Sequence, residues 1–164
     1  MAAGLSGEEL LAWNDATFTK WMELVERHPE VMVVVCDVYG VSNVAGLLHH
    51  IAVVELRYAQ RLMGETESTY EEIPVTVEGF RFAHGGMVER VKRLLSDGSY
   101  DWEATIRFQT RSMGVLLASR KTVLVHTLMH SIRHYAQAAM LVRQAGIAPG
   151  FPMDYLFMGV LGRE

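Results

Sequence analysis

Apolar residues recur every three or four positions through four stretches of the chain and alternate with polar ones through a fifth, which predicts four long helices and one small hairpin. Ser6-Gly7-Glu8-Glu9 carries a capping-box pattern, and Leu10, Trp13, Thr17, Trp21, Leu24 and Val25 follow at helical spacing until His28-Pro29. Ser42 is the predicted N-cap of a second helix, which reaches Met63, is closed by Gly64, and bears a stripe of Leu47, Leu48, Ile51, Val54, Tyr58 and Leu62. A third opens at Thr76 or Val77, passes through Phe80, Met87, Val88, Val91, Leu94 and Leu95, and stops at Ser96-Asp97-Gly98. The last runs from Ser119 or Thr122 to Ala145, with Gly146 placed as the residue after its cap.

Between the helices the pattern changes. Val31–Tyr39, rich in valine, has no clear period and reads as a short helical turn or as an extended linker ending at Gly40. Glu65–Thr76 is a loop. Trp102, Ala104, Ile106, Phe108 and Thr110 alternate with Glu103, Thr105, Arg107, Gln109 and Arg111; Ser112-Met113-Gly114 then makes a turn and Val115–Ala118 a return strand. The expected fold is therefore all-α, a four-helix bundle with a small β-hairpin before the last long helix. It forms a single domain over residues 1–164, a length with room for one sizeable core.

Composition narrows the function. The net charge is −4 with seven histidines counted neutral, and no basic stripe with interleaved aromatics occurs, so nucleic acid is not an expected partner. Cys36 is the single cysteine, which excludes an intramolecular disulfide and a cysteine-based zinc knuckle and suits a reducing compartment. Met1–Gly7 shows no signal-peptide pattern, and the longest apolar run, Val31–Cys36, is far short of the ~20 residues of a spanning helix. A cytoplasmic protein with no membrane partner is expected.

The candidate chemistry lies in His126, His130 and His134 on the last helix. Residues four apart on a helix are rotated by about 40° and raised by about 6 Å, so neighbours in the series can share an ion while the outer two, ~12 Å apart, cannot. With His130 at zero, the apolar stripe centres near +100°, His134 near +40° and His126 near −40°. His134 thus points inward and His126 toward the rim. Two imidazoles make a poor zinc or nickel site, so a third is required, and His50, on the inner edge of the second helix's stripe, supplies it. His49 reads as a solvated neighbour and His84 as structural. Glu55, at about +140° from His50, reads either as a salt-bridged interface carboxylate or as a general base or acceptor for an imidazole N–H. Arg57 and Arg61 flank His50 and read either as anchors for an anionic substrate or as a solvated basic edge. The chain has neither the Glu-x-x-His pairs of a di-iron bundle nor a His-Glu-x-x-His motif.

Leu47-Leu48-His49-His50-Ile51 followed by Glu55, and His126-x-x-x-His130-x-x-x-His134-x-x-Gln137, resemble the signatures of the DinB/YfiT-like metalloprotein superfamily, as do Leu141–Gly146, Pro149, Pro152 and Asp154-Tyr155-Leu156 near the end. Ala136 stands where that family often has glycine. The resemblance implies an antiparallel four-helix bundle, frequently a homodimer, with a divalent metal held by His50, His130 and His134; His126, by its direction on the wheel, and Gln137, in the motif, are candidates for a place behind the ligands. Zinc or nickel suits imidazole better than magnesium does. Characterised members resemble thiol S-transferases and isomerases that use low-molecular-weight thiols. The expected activity is therefore metal-dependent S-transfer or a related hydrolysis on a small-molecule substrate; the competing expectation is a non-catalytic, stress-related metal-binding bundle.

Overall fold

The structure, a computed structural model, describes residues 4–38, 40–110 and 113–160; Tyr39, Arg111, Ser112 and the two chain ends lie outside the described residues. Four helices make up most of it: α1 Gly7–Arg27, α2 Val44–Met63, α3 Val77–Ser96 and α4 Arg120–Gln144. Their ends are set by local chemistry. Ser6 accepts from the Glu9 amide while the Glu9 carboxylate takes the Ser6 amide, the expected capping box. The Thr76 and Ser119 hydroxyls cap α3 and α4 by accepting from the Gly79 and Thr122 amides, and Gly64 closes α2 at φ 71°. The cap of α2 is Asn43, one residue after the expected Ser42: its side-chain oxygen accepts from the Gly46 amide, while Ser42 is drawn into a strand.

Both readings of the valine-rich stretch hold in part. Pro29–Val33 is a 3-10 turn, and Val35–Val38 (β1) pairs antiparallel with Val41–Asn43 (β2). The expected hairpin forms from Thr105–Thr110 (β3) and Gly114–Ser119 (β4), starting later than Trp102. Its Phe108 reaches α2, where Tyr58 meets it edge to face.

Helix direction departs from the expected antiparallel bundle. His49 packs on Phe80, Glu55 bonds to His84 and Glu65 to Arg90, so residue numbers rise together and α2 and α3 run parallel. The Glu65–Thr76 loop carries the chain back along the bundle between them. Against α4, His50 faces His130 and His134 while Tyr58 faces His126, so α2 and α4 are antiparallel.

The core consists of two apolar clusters stacked along the bundle. One holds Phe18, Trp21, Leu47, Ile51, Phe80, Tyr135 and Val142; the other holds Leu10, Leu62, Met87, Leu94, Leu124 and Leu128. Where they meet, each helix contributes buried polar residues: Asn14, Glu55, His84, Ser131 and His134. This polar belt carries the chemistry, because buried polar groups must find partners. Among the described residues, no helix is long and apolar enough to cross a membrane.

Candidate metal centre

On the α2–α4 side of the belt, His50, His130 and His134 each offer a nitrogen, and the three nitrogens lie within 4.8 Å of one another. The Nε2 atoms of His130 and His134 are 3.1 Å apart, close to the ~3.3 Å between two nitrogens bound to one tetrahedral ion at about 2.0–2.1 Å. The four-residue spacing brings these rings together on α4, and the antiparallel approach of α2 supplies the third. His134 is fully buried, while His50 and His130 are partly exposed, so the group opens to one side.

Outer contacts orient the rings. The Nδ1–H of His134 donates to Gln137 Oε1 at 2.6 Å, which leaves Nε2 as the lone-pair atom on the cluster side. His50 Nδ1 is 3.2 Å from the Tyr70 hydroxyl. His130 is pushed down to about 2 by burial, then by the neighbouring His134, His50 and His126 and by Arg133; His134 is lowered for the same first reason. These imidazoles are therefore neutral at physiological pH, the form a metal requires. The donor set and its preset protonation fit a borderline-soft divalent ion.

His126 stays outside the trio, exposed, with its ring against those of Tyr58 and His130. Arg57 and Arg61 are on the same flank but engaged: both pair with Glu67, and Arg57 also donates to the Ser68 carbonyl at 2.6 Å. With Gln60, which bonds Ser68 at two points, they clamp the start of the loop onto α2. That clamp delivers Tyr70 to His50. Arg61 also lies over the rings of Tyr58 and Phe108, each 4.6 Å from its guanidinium carbon.

Glu55 faces away from the trio. Its oxygens accept from His84 Nδ1 at 2.7 Å and Asn14 Nδ2 at 2.9 Å, while Asp15 takes the other His84 nitrogen at 3.0 Å. Burial opposes a charge on His84, yet the two carboxylates raise it to about 9, and Phe18 stacks on the ring at 3.8 Å. Glu55 is thus an interface carboxylate with an imidazole partner, but that imidazole belongs to α3. His49 is half-buried and engaged within the fold: its Nε2–H donates to the Ile73 carbonyl at 2.8 Å and its ring meets Tyr70 and Phe80. Sequence reasoning missed Tyr70 and Arg133 beside the trio, and Asp15 and Asn14 beside Glu55. Only the Glu55 network left a signal, a carboxylate inside an apolar stripe that had to be paired.

A family model described as DinB family matches residues 1–159. No curated protein matches the sequence.

Proposed function

Since the chain belongs to the DinB family, we propose that it is a metal-dependent enzyme whose ion is held by His50, His130 and His134, acting on a small molecule by S-transfer from a low-molecular-weight thiol or by a related hydrolysis. The observation that carries this reading is the trio itself: three imidazoles whose nitrogens lie within 4.8 Å of one another, with His130 and His134 held neutral and two of the three rings partly exposed. A zinc or nickel ion bound there would act as a Lewis acid and lower the pKa of a thiol or a water. The protein holds the ligand nitrogens in place through Gln137 and Tyr70, and it leaves one side open to substrate.

One observation favours a second reading, metal binding without catalysis. The buried carboxylate nearest in sequence, Glu55, is engaged by His84 and Asn14 and does not stand ready as a base. Metal analysis of the purified protein, followed by a screen of thiols against electrophilic substrates, separates the two. Bound metal with turnover supports the enzyme, bound metal without turnover supports the second reading, and a protein that takes up no divalent ion removes both.

We further propose a cytoplasmic homodimer. Val125, Met129 and Met140 are exposed along one face of α4, within about 60° of each other on the helical wheel, a seam suited to a second copy. The buried thiol of Cys36 is compatible with a reducing compartment. Sedimentation equilibrium of wild type and Met129→Glu tests the dimer, which the charge should break.

A further inference from the structure

The two strands of the β3–β4 hairpin present different surfaces to water. On the face turned to the bundle, Ile106, Phe108 and Ala118 pack against the cluster that holds Leu124 and Leu128. On the outer face the register sets Thr105, Arg107 and Gln109 of β3 opposite Ser119, Leu117 and Val115 of β4. β3 therefore alternates as a half-solvated strand should, polar outward, whereas β4 is apolar on both faces. Val115 and Leu116 are exposed, and Leu117 is 70% exposed. The edge of β4 is open as well. Among the described residues the sheet has two strands, so every second residue of β4 turns its N–H and C=O away from β3 with no further strand to receive them. Edges left to water are normally guarded by a charge, a proline or a bulge. Gly114–Ser119 carries no charge and no proline, and its ladder with β3 runs without a register shift.

We propose that this edge pairs with the same edge of a second copy, β4 against β4, antiparallel about a twofold axis near Leu116-Leu117, so that two hairpins join into one four-stranded sheet. Three features single out a second copy as the occupant. The strand is uncharged, so identical strands meet without like charges facing each other. The twofold closes both open edges at once, and the edges that remain belong to β3, which carries Arg107. The third is area: an edge strand of this length covers on the order of 400 Å² per copy, short of the roughly 600 Å² per partner at which stable interfaces begin. Exposed Val125 and Met129, on the helix that β4 leads into, are the apolar surface that completes it. This inference rests on the homodimer proposed from the α4 seam.

The test uses the full chain. Leu117→Glu puts a carboxylate opposite Arg107, a cross-strand pair that suits the hairpin, but brings two carboxylates together at the twofold. In sedimentation equilibrium its dimer should be at least about 30-fold weaker than that of wild type, with the helical circular dichroism unchanged. Leu116→Cys and Leu117→Cys are oxidised in parallel, with wild type, whose Cys36 is buried, as the blank. Residues facing each other across the axis fall within the ~4.4–6.8 Å between Cα atoms that a disulfide spans, so at least one of the two should give a linked dimer. Arg107→Cys, one strand further from the axis, should not. A dimeric wild type whose affinity Leu117→Glu leaves unchanged, or in which neither Leu116→Cys nor Leu117→Cys links, overturns the edge pairing and leaves the α4 seam standing. Linking of Arg107→Cys as readily as the others overturns it too. A wild type that is monomeric overturns the homodimer and this inference with it.

Discussion

His84 and the His50–His130–His134 trio lie in the same polar belt, and burial alone disfavours charge on His84, His130 and His134. The neighbours differ in sign. His84 sits between Glu55 and Asp15 and holds its proton up to about pH 9, whereas His130 is surrounded by other imidazoles and Arg133 and is pushed down to about 2. One arrangement makes an imidazolium that ties α1, α2 and α3 together, and the other makes lone pairs available to an ion. Counting histidines therefore says little about metal binding until the charges around each ring are known.

The largest expected effect separates the two regions outright. His130→Ala leaves two ligand nitrogens, and three-point zinc binding should be lost by well over 100-fold in a competition titration. The same titration on Glu55→Gln should give unchanged stoichiometry. Full metal occupancy in His130→Ala would end the distinction between the sites.

Glu55→Gln tests the other side. It removes a fully buried partner of the His84 imidazolium and should cost about 3 kcal/mol in urea unfolding at pH 7, the lower range for breaking a buried pair because Asp15 remains. Equal stability would show that His84 is neutral.

The two regions should also respond oppositely to pH. The folded-state pKa of His84 is raised, so its stabilisation is complete below the unfolded value of 6.5 and is lost as pH rises through about 9. His130 is depressed, so in metal-free protein stability falls as pH drops below 6.5, where the unfolded chain takes a proton that the native one refuses. Unfolding curves across pH should show both arms. Saturating zinc should steepen the acid arm, since protons and metal compete for the same nitrogens, and leave the alkaline arm in place. Zinc acting on the alkaline arm would place the ion near His84.

The sequence revealed what a single helix determines. Stripe periodicity located four helices, and the wheel separated inward His134 from outward His126, because both depend on rotation about one axis. Pairings between helices were out of reach: Asp15, Glu55 and His84 sit on three helices, and no spacing links them. Helix direction was hidden for a related reason, since an apolar stripe reads the same whether its neighbour runs parallel or antiparallel. Ser42 was expected as the cap of α2 from its side-chain type, but Asn43 caps equally well, and the pairing of β2 with β1 placed the helix start after Asn43. Tyr70 was invisible because the loop clamp of Arg57, Gln60 and Arg61 had to form first.

Outer contacts of the trio should give intermediate effects. Gln137→Ala removes the acceptor for a buried imidazole N–H, and metal affinity should fall about 10–100-fold. His126→Ala, which loses only ring contacts, should stay within about threefold. The reverse order would mean that the ion uses the outer pair of α4.

Tyr70→Phe should give a smaller loss than Gln137→Ala, and burial explains why. The hydroxyl of Tyr70 meets His50 Nδ1 at 3.2 Å, a contact comparable in kind to that of Gln137 with His134. His134 is wholly buried, so removing its partner strands an N–H that water cannot easily reach, and the desolvation cost of that group is carried in full. His50 is partly exposed, and a solvent molecule can take the place of the phenol oxygen at little cost. Zinc affinity should therefore drop by no more than about fivefold in Tyr70→Phe, with the ring still stacked on His50. A loss as large as that of Gln137→Ala would show that Tyr70 does more than hold the ring, because a structural contact open to water cannot produce it.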